Sequence, residues 1–327
     1  MSAGTMGVPG TAGHAGNGTC AASTAPLAPA TVRVLEAAGL DVPDVVRSVR
    51  AALDEDFRYG ADVTSAATVA GRTVTADVVA REDGVLAGGP AALAVFDLLP
   101  EYLGGEQAAV RAEVLVADGE LVRPGDAVLR VSGDAVEVLG AERTMLNFLT
   151  HLSGIASATR AWADAIAETG AVVRDTRKTL PGLRGLQKYA VRCGGGANHR
   201  MGLGDAALVK DNHVAAAGGI AAAVRAVRSA ATPGLVIEIE CDSVPQVREA
   251  LEAGARFILL DNMPVPVLRE AVAVARAYEG VRLEASGGLR LANAREVAET
   301  GVDYLSVGAL THSSRALDLS LDYGGTA

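Results

Sequence analysis

Lysine is the scarce cation of this chain, and it is concentrated. Of 29 basic residues, 26 are Arg and only Lys178, Lys188 and Lys210 are Lys, all within 33 residues. A chain this biased uses Arg wherever either cation serves. Clustered Lys therefore marks positions that need a compact ammonium; chance clustering is the competing reading. Around them, the stretch Arg174 to His213 carries eight cations against Asp175, Asp205 and Asp211, in a protein of net charge −10. A local positive field in an acidic molecule concentrates small anions. Apart from Tyr189 the stretch has no aromatic platform for bases, so a small anionic ligand is favoured over nucleic acid.

Further polar residues close a series of short apolar runs. The runs are Ala171–Lys178, Ala206–His213, Val236–Asp242, Phe257–Met263, Arg282–Gly288 and Tyr304–Leu310. Helical patterns such as Val244–Ala253, Val265–Tyr278 and Ala292–Thr300 lie between several of them. Strand, helix, strand in this rhythm predicts a parallel sheet, and six such units predict an α/β barrel. An open nucleotide-binding sheet is the competing fold, but no Gly-x-Gly-x-x-Gly turn follows an early strand. In α/β barrels the chemistry sits at the carboxyl ends of the strands. Those ends read Arg177 and Lys178; Lys210, Asp211, Asn212 and His213; Glu238 and Glu240; Asp261 and Asn262; Glu284 and Ser286 to Gly288; Gly308. Cations come first, acids in the middle and Gly turns last, an order that suits a polyanionic substrate and a metal ion.

Two readings stand for several of these groups. Glu240 and Asp261 on adjacent strands can hold Mg²⁺ or ribose hydroxyls, or they can simply pair with Lys178 or Lys210. Cys193-Gly194-Gly195-Gly196 can offer backbone N–H groups to a ligand, or make a turn. Ser286-Gly287-Gly288 and Gly308 suit the phosphate site found after the last strands of many such barrels.

Upstream, residues 1–30 are small and almost uncharged and read as a disordered tail. Residues 31–142 read as a mixed α/β unit, with an amphipathic helix over Val45–Leu53 and alternating strands at Thr73–Ala80 and Val110–Val116. Glu142 to Ala167 reads as a helix into the barrel, which spans 143–315 and leaves a C-terminal segment, 316–327. Half of the 327 residues are hydrophobic, ample for two cores. No apolar run approaches the ~18 residues of a membrane span, so no membrane partner is expected. Three Cys fit neither a disulfide framework nor a zinc site, which points to the cytoplasm.

The run Asp175-Thr176-Arg177-Lys178-Thr179-Leu180-Pro181-Gly182-Leu183-Arg184, continued by Lys188-Tyr189-Ala190-Val191-Arg192-Cys193-Gly194-Gly195-Gly196, resembles the quinolinate phosphoribosyltransferase family. So do Asn198-His199-Arg200, Lys210-Asp211-Asn212-His213, Glu142 to Asn147, Glu238-Ile239-Glu240, Leu260 to Met263 and Ser286-Gly287-Gly288. The likeness runs in order from about residue 45 to 325. Ala197, where the family often has His, and Cys241-Asp242 depart from it without removing a charge.

The resemblance implies an N-terminal α/β sandwich domain followed by an incomplete (β/α) barrel. It implies a transferase that joins quinolinate to phosphoribosyl pyrophosphate, releasing CO₂ and pyrophosphate and yielding nicotinate mononucleotide for NAD synthesis. Arg143, Arg177, His199, Arg200 and Lys210 would bind quinolinate, with Thr176 beside them. Ser286, Gly287, Gly288 and Gly308 would bind the 5′-phosphate. Glu240 and Asp261 would hold ribose hydroxyls and Mg²⁺, and Lys178 the leaving pyrophosphate. Arg143 would reach a partner's barrel, so a homodimer with shared sites is expected, with hexamers left open. Three other activities compete: a molybdenum-associated paralogue, a nicotinate-specific transferase and a non-catalytic anion binder.

Overall fold

The computed structural model describes residues 27–104 and 110–323. Its N-terminal strands are β1 (Thr73–Ala80), β2 (Gly84–Val85), β3 (Arg111–Val114), β4 (Leu121–Val122) and β5 (Ala127–Asp134). Six short strands follow: β6 (Val172–Arg174), β7 (Ala206–Val209), β8 (Val236–Cys241), β9 (Phe257–Asp261), β10 (Arg282–Ser286) and β11 (Tyr304–Ser306). The last strand is β12 (Leu319–Tyr323).

β1 alternates as its sequence predicts, with Val74, Ala76 and Val78 buried. It lies at the centre of an antiparallel sheet ordered β12-β1-β5-β3. The helices Val42–Phe57 and Gly89–Leu98 add their apolar residues to the same core. β6 to β11 form one parallel sheet ordered β6-β11-β10-β9-β8-β7, so the barrel stays open between β6 and β7. Ala197 lines the free edge of β6 through a single parallel bridge to Arg174.

Three boundaries differ from the sequence reading. The helix expected from Glu142 begins at Ala135 and runs unbroken to Ala165. Asp134 caps it, accepting from the N–H groups of Val136 and Glu137. A boundary at 142/143 therefore falls inside one helix, whose buried residues run from Ala135 to Trp162. The C-terminal segment is not separate: β12 pairs with β1, Val78 opposite Leu321. That partner lies far back in the chain, beyond the reach of any local pattern. Of the expected tail, residues 1–26 lie outside the described residues. Leu27 is buried, however, and Pro29 opens the helix Pro29–Ala37.

The Cys193 to Gly196 segment is a tight packing turn. A Cβ at Gly194 would stand 2.3 Å from the Ala156 carbonyl oxygen of the long helix, and one at Gly196 2.8 Å from Thr159 Cγ2. Close approach to that helix accounts for these glycines without a ligand. Cys193 and Cys241 are free thiols, and burial pushes both above the usual range, to about 11 and about 12.

Candidate active site

A cavity of about 680 Å³ opens at the carboxyl ends of the parallel strands. The loop after β6 brings Thr176, Arg177 and Lys178 to its wall. His199 and Arg200 enter from the segment that runs beside the barrel gap, and Lys210 follows β7. Glu240 on β8 and Asp261 at the end of β9 line the acidic side. Ser286, Gly287 and Gly288 close the far wall after β10.

Two expected residues stand apart. Gly308 borders the wall: a Cβ there would meet Lys178 Cδ at 3.0 Å and Thr176 Oγ1 at 3.3 Å. Arg143 is exposed on the long helix and does not line this cavity.

The cation wall is built to receive negative charge. The Nε atoms of Arg177 and Arg200 are buried without a hydrogen-bond partner. Burial, and the neighbouring Arg177, pull the Arg200 guanidinium below its ordinary value. An anion between the two would relieve both costs. Across the cavity, Lys210 Nζ lies 3.3 Å from Glu240.

The phosphate-type turn depends on Asn262. This residue holds φ at 53°, a left-handed conformation rare outside Gly. Its N–H donates to the Ser286 carbonyl at 2.8 Å, and its Nδ2 donates to Asp261 Oδ2 at 2.7 Å. Gly287 has φ +83°, and a Cβ there would fall 2.2 Å from Asn262 Oδ1. Strain here trades for placement of the Asp261 carboxylate.

Beneath the cavity lies a buried polar network that the residue types alone did not assign. Arg174 pairs with Glu284, and its guanidinium lies over the rings of Tyr304 and Phe257, 4.6 and 5.3 Å from their centroids. Ser306 donates to the other oxygen of Glu284. His199 Nε2 is 3.0 Å from Glu238 and 3.4 Å from Glu284, while Nδ1 accepts from the Arg200 N–H at 2.7 Å. Both ring nitrogens are thus engaged by the protein. His199 nonetheless lines the cavity beside Arg200.

Burial pushes His199 down to about 4 and Glu238 up to about 7. A neutral imidazole beside a carboxyl that keeps about half of its proton near pH 7 is the outcome. Glu238 binds its proton more tightly when folded, so its contribution to stability is full below the ordinary carboxylate range. That contribution is lost as pH rises through about 7. Glu238→Gln cannot ionise. Its melting temperature should therefore rise relative to wild type between pH 5 and pH 8, by the equivalent of on the order of 3 kcal/mol. An unchanged difference across that range would reject the assignment.

His199, Glu238 and Glu284 also form the only group of three possible metal ligands among the described residues, with ligand atoms within 4.8 Å of one another. Arg174 already neutralises Glu284 there, so the group is a charge network rather than a cation site.

Known proteins resemble this chain over both of its domains. Residues 62–153 match the N-terminal domain of quinolinate phosphoribosyl transferase, and residues 155–322 match its C-terminal domain. The nicotinate-nucleotide pyrophosphorylase [carboxylating] of Mycobacterium leprae is 54% identical over 279 residues, 84% of this chain and 95% of that protein. The probable enzyme of the same name from Bacillus subtilis is 40% identical over 82% of this chain and 89% of its own length. The solved nicotinate-nucleotide pyrophosphorylase of Francisella tularensis superposes with a TM-score of 0.80 at 38% identity, covering 86% of this chain and 96% of that one. Matched over both domains, the chain belongs to the quinolinate phosphoribosyltransferase family.

Proposed function

We propose that this protein converts quinolinate and phosphoribosyl pyrophosphate to nicotinate mononucleotide, CO₂ and pyrophosphate, a step of NAD synthesis. The observation that carries the reading is one cavity with three walls. Half-buried guanidiniums, each with a buried Nε that has no partner, form the first, the strand-end carboxylates Glu240 and Asp261 the second and a Gly turn the third. Arg177, Arg200 and Lys210 would clamp the two carboxylates, and Arg forks match such groups in two-point fashion. Ser286, Gly287 and Gly288 would take the 5′-phosphate.

With the ring so held, its nitrogen lone pair forms the new bond to ribose C1 as the bond from C1 to the pyrophosphate oxygen breaks. Glu240 and Asp261 face the sugar, where positive charge develops. Lys178 faces the departing oxygen, where negative charge develops, and preorganised charge of this kind is usually the largest catalytic term. The alkylated ring is cationic, so the electron pair left on C2 when CO₂ departs is stabilised beside it. A proton then completes the product.

Glu240 and Asp261 also fit Mg²⁺. Two carboxylates leave most of an oxygen coordination sphere to water and to a diphosphate, the arrangement this ion prefers. The ion would supply charge neutralisation of the leaving group. The reading extends to a homodimer with shared sites and to a cytoplasmic location, which the free Cys193 and Cys241 support. Among the described residues no helix is long and apolar enough to cross a membrane.

The test is direct. Purified protein, quinolinate labelled in the 2-carboxylate, phosphoribosyl pyrophosphate and Mg²⁺ should release labelled CO₂ and form nicotinate mononucleotide. Excess chelator should abolish the reaction and added Mg²⁺ restore it. Absence of product with Mg²⁺ would reject the activity, and full turnover in chelator would reject the metal.

A further inference from the structure

Lys188 is one of only three Lys in the chain, yet it does not line the cavity. It is completely buried, as is Asp175, which it contacts through Nζ. A buried ammonium is costly unless its donors are all used and its charge is met. Burial pulls the ammonium below its ordinary value, against the opposing pull of Asp175.

The partners of this pair are specific. Asp175 immediately precedes Thr176, Arg177 and Lys178. Its Oδ1 accepts from Lys188 Nζ and from the His199 N–H at 2.9 Å, and its Oδ2 accepts from Asn198 Nδ2. Lys188 Nζ also donates to the His199 carbonyl at 2.8 Å, and Asn198 Nδ2 donates to the Lys188 carbonyl at 2.8 Å. One buried knot therefore ties the loop that carries Arg177 to the segment that carries Arg200. Of the three guanidiniums with orphaned Nε atoms among the described residues, Arg174, Arg177 and Arg200, these are the two that line the cavity. The phosphate-type turn after β10 is held separately, by Asn262.

We propose that Lys188 is a positioning residue that sets the spacing of Arg177 and Arg200, and so the affinity for a dicarboxylate, through its buried knot with Asp175, Asn198 and the His199 backbone. The inference rests on the quinolinate reading above. It also explains why Lys persists here in an Arg-rich chain. An ammonium reaches a carboxylate and a carbonyl from one point, whereas a planar guanidinium needs more room than this closed site offers.

The experiment compares wild type, Lys188→Met, Lys188→Met with Asp175→Asn, and Asn198→Ala by calorimetric titration with quinolinate and, separately, with ribose 5-phosphate. The double variant removes both buried charges together, so it keeps the test open if the lone Asp175 charge prevents folding. Asn198→Ala leaves the ion pair in place. Quinolinate should bind Lys188→Met and the double variant roughly 10- to 100-fold more weakly, the scale of one misaligned hydrogen bond between charged groups. Asn198→Ala should weaken it in the same sense by less. Ribose 5-phosphate should bind all folded variants as it binds wild type. Equal weakening of both ligands would mark a merely structural role and overturn the proposal, as would unchanged quinolinate affinity. Wild-type protein that ignores quinolinate would instead overturn the functional reading on which the proposal stands.

Discussion

Nicotinate should be turned over roughly 30- to 5,000-fold less efficiently than quinolinate in kcat/KM. The range corresponds to the ~2–5 kcal/mol lost when one member of a buried charged pair is removed. Nicotinate is quinolinate without the 2-carboxylate. In the cavity, Arg177, Arg200 and Lys210 stand together. The two guanidiniums repel each other, and each has a buried Nε without a partner. A substrate with two carboxylates satisfies them; one with a single carboxylate leaves a desolvated cation behind. The comparison needs only the two acids under the same conditions with phosphoribosyl pyrophosphate in excess. Comparable turnover would mean that the cation wall does not read the 2-carboxylate, and would reassign the chain to a nicotinate-specific transferase.

Local pattern made the barrel legible. Val236–Cys241, Phe257–Asp261 and Arg282–Ser286 begin where their apolar runs begin, because parallel strands buried on both faces read as short hydrophobic stretches. The loops that follow them carry polar residues too costly to bury, so the cavity wall was legible as well. Three things were not. β12 is five residues whose meaning depends on β1, and no local period encodes that partner. Glu238, Glu284 and Arg174 have the types of surface residues, and only the folded barrel shows that Arg174 meets Glu284 and His199 meets both carboxyls inside it. Lys188 sits on a helix face beside Leu186 and Tyr189, where a Lys would ordinarily bend out to solvent. The rarity of Lys was its one signal. It flagged all three Lys alike, although Lys178 and Lys210 reach the cavity and Lys188 does not.

Arg143 leads to the second large effect. The residue lies on the long helix Ala135–Ala165, exposed, with no place on the wall of the cavity formed by its own chain. Folding it back would require breaking a helix that is continuous for 31 residues and packed along its length. Donation to a second copy requires only that one subunit's N-terminal domain cap the other's barrel. A two-fold dimer makes that contact twice, reciprocally. On the proposed shared site, Arg143→Ala should fold normally and lose nearly all activity, and Lys210→Ala should do the same. Mixed and allowed to exchange subunits, the two inactive proteins should recover about a quarter of wild-type activity. Random exchange makes about half the dimers mixed, and one of the two sites in each then carries neither substitution. The other site carries both. Exchange can be verified independently with two differently tagged proteins. If tagged subunits exchange and no activity returns, Arg143 serves its own chain and the shared site is wrong. If Arg143→Ala keeps full activity alone, the residue has no part in the reaction at all.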